Sequence, residues 1–167
     1  MAHLAQLDPK GEVFPITYDW ELGFTQPATR KALAYWRELC AGRIMPIRRE
    51  LSPRAMREFL DHVNLVDVIP RREGGFDYMV SLQGAQSCGV FGHMAGQTLS
   101  EMLPPHFEKR WSDSFELPRA AAAPVRLVTC ASTFGKKWLA CEALLAPLGD
   151  GRDSVTTIFW VFAFWRI

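Results

Sequence analysis

The stretch Val155-Thr156-Thr157-Ile158-Phe159-Trp160-Val161-Phe162-Ala163-Phe164-Trp165 constrains the fold more than any other part of the chain. It is rich in β-branched and aromatic residues, which favour extended backbone. Both of its alternating rows are apolar: Ile158, Trp160, Phe162 and Phe164 on one side, and Val155, Phe159, Val161, Ala163 and Trp165 on the other. An antiparallel strand with one wet face would carry a polar alternate row. This strand needs cover in front and behind. It therefore predicts a sheet held between a helical layer and a second layer, with the strand in its interior.

A chain of 167 residues suggests one domain with a sizeable core. Apolar content of 49% and charged content of 22% are those of a globular protein. A formal net charge of +1 provides no field for nucleic acid or an anionic membrane, so neither is expected as a partner. Residues 1–11 are polar and lack the apolar core of a secretory leader. The C-terminal apolar run is too short and too aromatic to span a bilayer. Cys40, Cys88, Cys130 and Cys141 show no C-x-x-C spacing and read as reduced, mostly buried thiols of a cytoplasmic protein.

Punctuation by proline, glycine and capping residues divides the chain. Residues 1–26 form an arm in which Val13, Phe14, Ile16, Tyr18, Trp20, Leu22 and Phe24 point to a docked, partly extended segment. Residues 27–167 form the domain proper. Thr25-Gln26-Pro27 opens a helix over 27–41 with the apolar stripe Leu33, Trp36, Leu39 and Cys40, closed by Gly42. Ser52-Pro53 starts a second helix to Leu60, with Met56, Phe59 and Leu60 inward. Residues 63–69 and 76–82 form a β-hairpin. Residues 84–103 contain short helices and turns. Pro104-Pro105 starts a longer helix that Pro124 ends, with Phe107, Trp111, Ser114, Phe115 and Pro118 along its inner side. Three strands follow, over 125–134, 138–148 and 154–165, joined by turns at Gly135-Lys136 and at Gly149 to Arg152.

The core over 62–166 thus runs strand, strand, helical middle, strand, strand, strand, which is the pattern of a PAS domain. Local motifs sharpen the resemblance. Tyr35-Trp36-Arg37-Glu38-Leu39, then Gly42-Arg43-Ile44-Met45-Pro46 with Arg48, then Ser52-Pro53, resemble the opening signature of a bacterial, mostly alphaproteobacterial, PAS-like family. His62-Val63, Leu65 and Asp67-Val68 resemble its first strand, and Phe76, Tyr78, Leu82 and Gly84 its second. Phe91-Gly92 and Gly96 resemble the turn that follows. Ala85 departs from a common threonine, and Met94-Ala95 from a more polar pair. The resemblance implies an α+β fold: a five-stranded antiparallel sheet with the helical middle on one face. The 27–41 helix covers the other face, within its own chain or across a dimer. It also implies a sensory or regulatory module, and it supplies no ligand.

Read as a two-residue turn, Gly135-Lys136 sets Cys130 opposite Cys141, and the next loop sets Cys141 opposite Trp160. That row, with Val128 beside it and Phe91, Trp111 and Phe115 above it, outlines a candidate site for a small apolar or aromatic ligand. The alternative is a plain core containing two small thiols. Glu142 lies on the other row and marks Cys141's face as the drier one. The basic loop offers Arg43 and Arg48 as anion-binding candidates. With Arg49, Arg54 and Arg57 it also fits a solvated face paired with Glu38, Glu50 and Glu58.

His3, His62, His93 and His106 show no metal-ligand spacing, so no metal site is expected. Of these, His93 and His106 stand where a haem ligand of this fold would, and haem is not expected. Cys88, in Gln86-Ser87-Cys88-Gly89-Val90, lacks the asparagine-cysteine-arginine-phenylalanine run of flavin photosensors, so flavin is not supported. No Ser/His/Asp or Cys/His arrangement has local support, and no catalytic residue is assigned.

The resulting expectation is a module that binds a ligand or partner and signals through a partner protein or a homodimer, by way of Leu33, Trp36 and Leu39. Two alternatives stand beside it. One is an enzyme on a cone or hot-dog-like sheet, marked by a carboxylate or histidine deep in the cavity. The other is an adaptor with a filled core.

Overall fold

The structure is a computed structural model that describes residues 14–167. Of the predicted arm, Val13 and the residues before it lie outside the described residues. The sheet has six antiparallel strands: β1 (Thr17–Asp19), β2 (Val63–Pro70), β3 (Phe76–Leu82), β4 (Val125–Ala131), β5 (Lys136–Gly149) and β6 (Val155–Arg166), in the spatial order β1-β4-β5-β6-β2-β3. The sixth strand comes from the arm, where Thr17, Tyr18 and Asp19 pair with Val128, Leu127 and Arg126. The five-strand expectation is corrected by this short addition to the free edge of β4.

The strand that opened the sequence argument lies inside the sheet, between β5 and β2. Its two rows enter two separate cores. Ile158, Trp160 and Phe162 join Tyr78, Val80, Phe91, Met94, Leu99, Phe107 and Phe115 beneath the helical middle. Phe159 and Val161 join Leu33, Trp36, Met56, Phe59, Leu144, Ala146 and Leu148 on the reverse face. Burial on both sides is what two apolar rows require.

The reverse face is covered within the same chain by α1 (Pro27–Cys40). Leu33 and Trp36 are buried there, Leu39 is half-buried, and Trp36 Nε1 donates to the Pro147 carbonyl at 2.9 Å. The stripe assigned to a homodimer or partner is therefore used inside the chain. The helix ends one residue earlier than expected, with Ala41 in the left-handed cap position. The predicted 53–60 helix is corrected. Only one i→i−4 bond forms, Met56 N to Ser52 O at 3.1 Å. The rest of the segment turns through i→i−3 bonds, which carry Met56 and Phe59 into the core and end in a 3₁₀ turn at Leu60–His62.

The helical middle comprises α2 (Ala85–Phe91), α3 (Leu99–Met102) and α4 (Pro105–Ala121). Asn64, fully buried on β2, fixes its start. Its side-chain amide donates to the Trp160 carbonyl at 3.1 Å, and its oxygen accepts from Gly84 N at 3.0 Å and Ser87 Oγ at 2.5 Å. The backbone comes so close here that a Cβ on Gly84 would lie 2.5 Å from the Asp61 carbonyl oxygen. Glycine is needed for that contact. The departures Ala85 and Met94 fall on an exposed position and a fully buried core position respectively.

Candidate functional site

α4 starts at Pro105, a residue preorganised for the first helical turn. Its buried side carries Phe107, Ser114, Phe115 and Pro118, with Trp111 half-buried. Tyr78 on β3 ties this helix to the sheet by donating to Glu116, which Arg119 grips through two bonds of 2.7 Å. Burial and the neighbouring carboxylate push the Tyr78 hydroxyl pKa well up, so it remains a donor.

Between α4 and the sheet lies a cavity of about 60 Å³. The rings of Phe91, Trp111, Phe115, Phe134, Trp160 and Phe162 line it, with Cys141 and Leu145 from β5. Most of the ring pairs meet edge-on or tilted, with Trp111 and Trp160 centroids 5.6 Å apart and Phe115 and Trp160 5.1 Å apart, while Phe91 and Trp160 lie nearly parallel at 6.4 Å. Edge-to-face contacts of this kind leave irregular space that aliphatic packing would close. A single water needs about 10–15 Å³ on this scale, so the space takes roughly four to six water-sized groups.

Six of the seven residues assigned to a ligand site line this cavity: Phe91, Trp111, Phe115, Cys130, Cys141 and Trp160. Val128 does not, and the register explains why. Residues 132–134 form a 3₁₀ turn closed by Gly135 in the left-handed region, so Ala131 pairs with Lys136. Cys130 then stands opposite Ala140, and Thr129 opposite Cys141. The slip from the predicted register is one residue, which exchanges the faces of β4 as far as Thr129; at the irregularity between Cys130 and Ala131 the alternation breaks, and Cys130 still lines the cavity. Leu127 and Thr129 take the cavity side, while Val128 falls in the row of Glu142. At the next loop Leu148 pairs with Thr157, which places Cys141 opposite Phe164 and Leu145 opposite Trp160. That slip is an even number of residues, so the faces hold although the predicted three-residue row does not. Burial pushes the Cys141 thiol up to about 12, far from the range of a reactive thiolate.

The partly exposed lining residues Ile16, from the arm, Arg110 and Thr129 mark the mouth, with the buried Ser114 just inside α4's contact with the arm. Tyr18 OH and Ser114 Oγ lie 2.7 Å apart, and Arg110 Nη2 donates to the Phe14 carbonyl at 2.6 Å and to Thr129 Oγ1 at 3.2 Å. Sequence reasoning missed Arg110 because a lone arginine on a helix with a mixed surface carries no periodic signal.

The expectation that the reverse face is the wetter one is corrected. Glu142 is fully buried. Its carboxylate accepts from Thr25 N at 2.9 Å, Gln26 N at 3.0 Å, Thr29 Oγ1 at 2.6 Å and Arg126 Nε at 2.8 Å. Desolvation would raise its pKa, but the donors of Thr29, Thr25, Gln26 and Arg126 outweigh that and hold it below the ordinary value. The carboxylate thus anchors the N-terminus of α1 to the sheet, where negative charge is favoured.

Both anion-binding candidates have carboxylate partners. Arg43 grips Glu50 through bonds of 2.8 and 2.7 Å, which lowers the Glu50 pKa to about 2, and it also donates to the Leu39 and Cys40 carbonyls. Arg48 reaches Asp67 at 2.9 Å and Ser81 at 3.2 Å. Glu58 pairs with Lys31 rather than with the basic loop. His93 and His106 are exposed, and neither lines the cavity. His93 Nδ1 lies 3.3 Å from Cys88 Sγ, a Cys/His neighbourhood that the sequence reading had not recognised. The signal for it was a five-residue spacing across Gly92.

No curated protein and no solved structure matches the chain significantly. A family model described as PAS domain matches residues 24–162, from the buried Phe24 ahead of α1 to Phe162 near the end of the central strand. That match takes in the reverse-face helix, the whole helical middle and five of the six strands, and with the sheet order found here it places the chain in the PAS domain family.

Proposed function

We propose that this PAS domain binds a small apolar or aromatic ligand between the sheet and α4. The free space among Trp111, Phe115, Cys141, Trp160 and Phe162, at the junction of the central strand and the long helix, carries the reading. PAS domains are in general sensory or regulatory modules, and a binding site at this junction suits that role. The ligand acts by shifting a population: it favours the conformers in which the rings stand apart. Such a shift reaches the surface through the arm, since Ile16 lines the mouth and Tyr18 bonds to Ser114 on α4. The output then passes to a partner protein or a second copy, which would meet the outer side of α1 or the arm because Leu33 and Trp36 are already buried. The small volume favours, as a second reading, an adaptor whose core is simply full. The described residues that line the cavity include no carboxylate or imidazole, the marker set for the enzyme alternative.

The test is thermal unfolding against single-ring and short-chain compounds, with tryptophan fluorescence as the second readout. A compound at ten times its Kd stabilises by about 1.4 kcal/mol, or about 3–6 °C in a domain of this size. Cys141→Leu, which fills the space, is expected to abolish the shift. A folded protein that responds to nothing in the panel, or a shift that Cys141→Leu leaves intact, sinks the proposal.

A further inference from the structure

Five arginines of the domain are paired with acids: Arg43 with Glu50, Arg48 with Asp67, Arg71 with Glu108, Arg119 with Glu116, and Arg126 with Glu142. Arg110 differs. It is half-buried on α4 and lines the cavity, yet it forms no ion pair among the described residues. Its two hydrogen bonds both come from Nη2 and both end on neutral oxygens, the Phe14 carbonyl and Thr129 Oγ1. Nε and Nη1 have no acceptor among the described residues. Burial lowers its pKa, and no carboxylate opposes that shift. A partly desolvated guanidinium without a counter-ion is costly. Its planar fork matches a carboxylate.

We infer that the cavity takes a small monocarboxylic acid, with a single-ring or short-chain tail among Trp111, Phe115 and Trp160 and its carboxylate on Arg110 at the mouth. The inference rests on the proposed ligand site and names the chemical class of its ligand. The geometry supplies both halves of such a molecule's environment: aromatic walls for the tail, and a cation with no ion pair among the described residues, within one turn of Trp111 and Ser114 on the same helix. A free inorganic anion would satisfy Arg110 and leave the aromatic space unused. A neutral hydrocarbon would do the reverse.

The experiment compares benzoate with benzamide by calorimetry and thermal shift, on the wild-type protein and on Arg110→Met, which keeps the apolar stem. In the wild type benzoate is expected to bind at least tenfold more tightly than benzamide, and its affinity to fall as salt rises. Arg110→Met should bring the two within about twofold of each other by weakening benzoate alone. Arg110→Lys, which retains the charge without the fork, should fall between. If Arg110→Met does not fold, the wild-type acid-to-amide ratio and its salt dependence still decide. Equal binding of acid and amide overturns the role of Arg110 and leaves the cavity standing. Binding of neither overturns both. An inorganic phosphate control that matches benzoate assigns Arg110 to anions without a tail, and so overturns the monocarboxylate class.

Discussion

The two faces of the sheet are both dry, but they are closed in different ways. On the reverse face α1 lies on a mostly aliphatic layer, Leu144, Ala146, Leu148 and Val161 with the single ring of Phe159, and its N-terminus is pinned by the buried Glu142. On the front face α4 lies on aromatic rings with space between them, and its polar ties to the sheet side, Tyr78 with Glu116 and Arg71 with Glu108, sit nearer the rim. A buried carboxylate that accepts from two backbone N–H groups cannot be partly released without leaving charge unpaired in a dry core. Rings meeting edge to face can move apart at lower cost. The comparison shows one face built as a fixed support and the other as the adaptable one, which is where a sensor would place its ligand.

The largest expected effect falls on the support. Glu142→Ala removes the buried carboxylate that Arg126, Thr29 and the start of α1 share, and it should cost about 3–5 kcal/mol in urea unfolding. A loss below about 1 kcal/mol would mean that α1 is held by apolar packing alone and that the contrast between the faces is wrong.

A matched pair of smaller changes sharpens the contrast. Ala146→Val adds bulk to the fully buried reverse face and should cost about 1–3 kcal/mol. Cys141→Ile adds the same two heavy atoms beside the cavity, on a strand that suits a β-branched side chain, and should change stability by less than about 1 kcal/mol. Equal penalties would remove the distinction between the two cores.

The smallest effect is on pH dependence. Because the Glu142 pKa is lowered in the fold, the folded state holds its proton less readily than the unfolded chain does. The stabilisation is therefore complete above the unfolded carboxylate pKa of about 4.3 and is lost as pH falls through the lowered folded value. Glu142→Gln should flatten part of that acid limb. An unchanged limb would assign the acid sensitivity to exposed pairs such as Arg43 with Glu50.

Much of the layering was legible in the chain. The two apolar rows of Val155–Trp165 predicted a covered interior strand, and β6 is one. The proline-led helix with Phe107 and Phe115 inward is α4. The candidate site was legible in its residue types but not in its register. Val128 was placed by assuming a two-residue turn, whereas the Ser132–Phe134 turn with Gly135 consumes more chain before β5 begins. The local sterics of four residues decided which side of β4 faces the cavity. Glu142 reads in the sequence as the mark of a wetter face, because three of its four donor residues, Thr25, Gln26 and Thr29, lie more than a hundred residues away, at the end of the arm and the start of α1.

The chain's own pattern determined that a sheet would be buried on both sides, that a long helix would lie over it, and that the space between them would be aromatic. Periodicity and side-chain volume are local properties, and they survive any arrangement of neighbours. Tertiary structure alone decided which of two apolar rows meets which helix, that the arm adds a sixth strand, and that Glu142 is paired while Arg110 has no ion pair among the described residues. Each of these depends on partners brought together from distant positions, and a charge is stabilised or left open only by what the fold sets beside it.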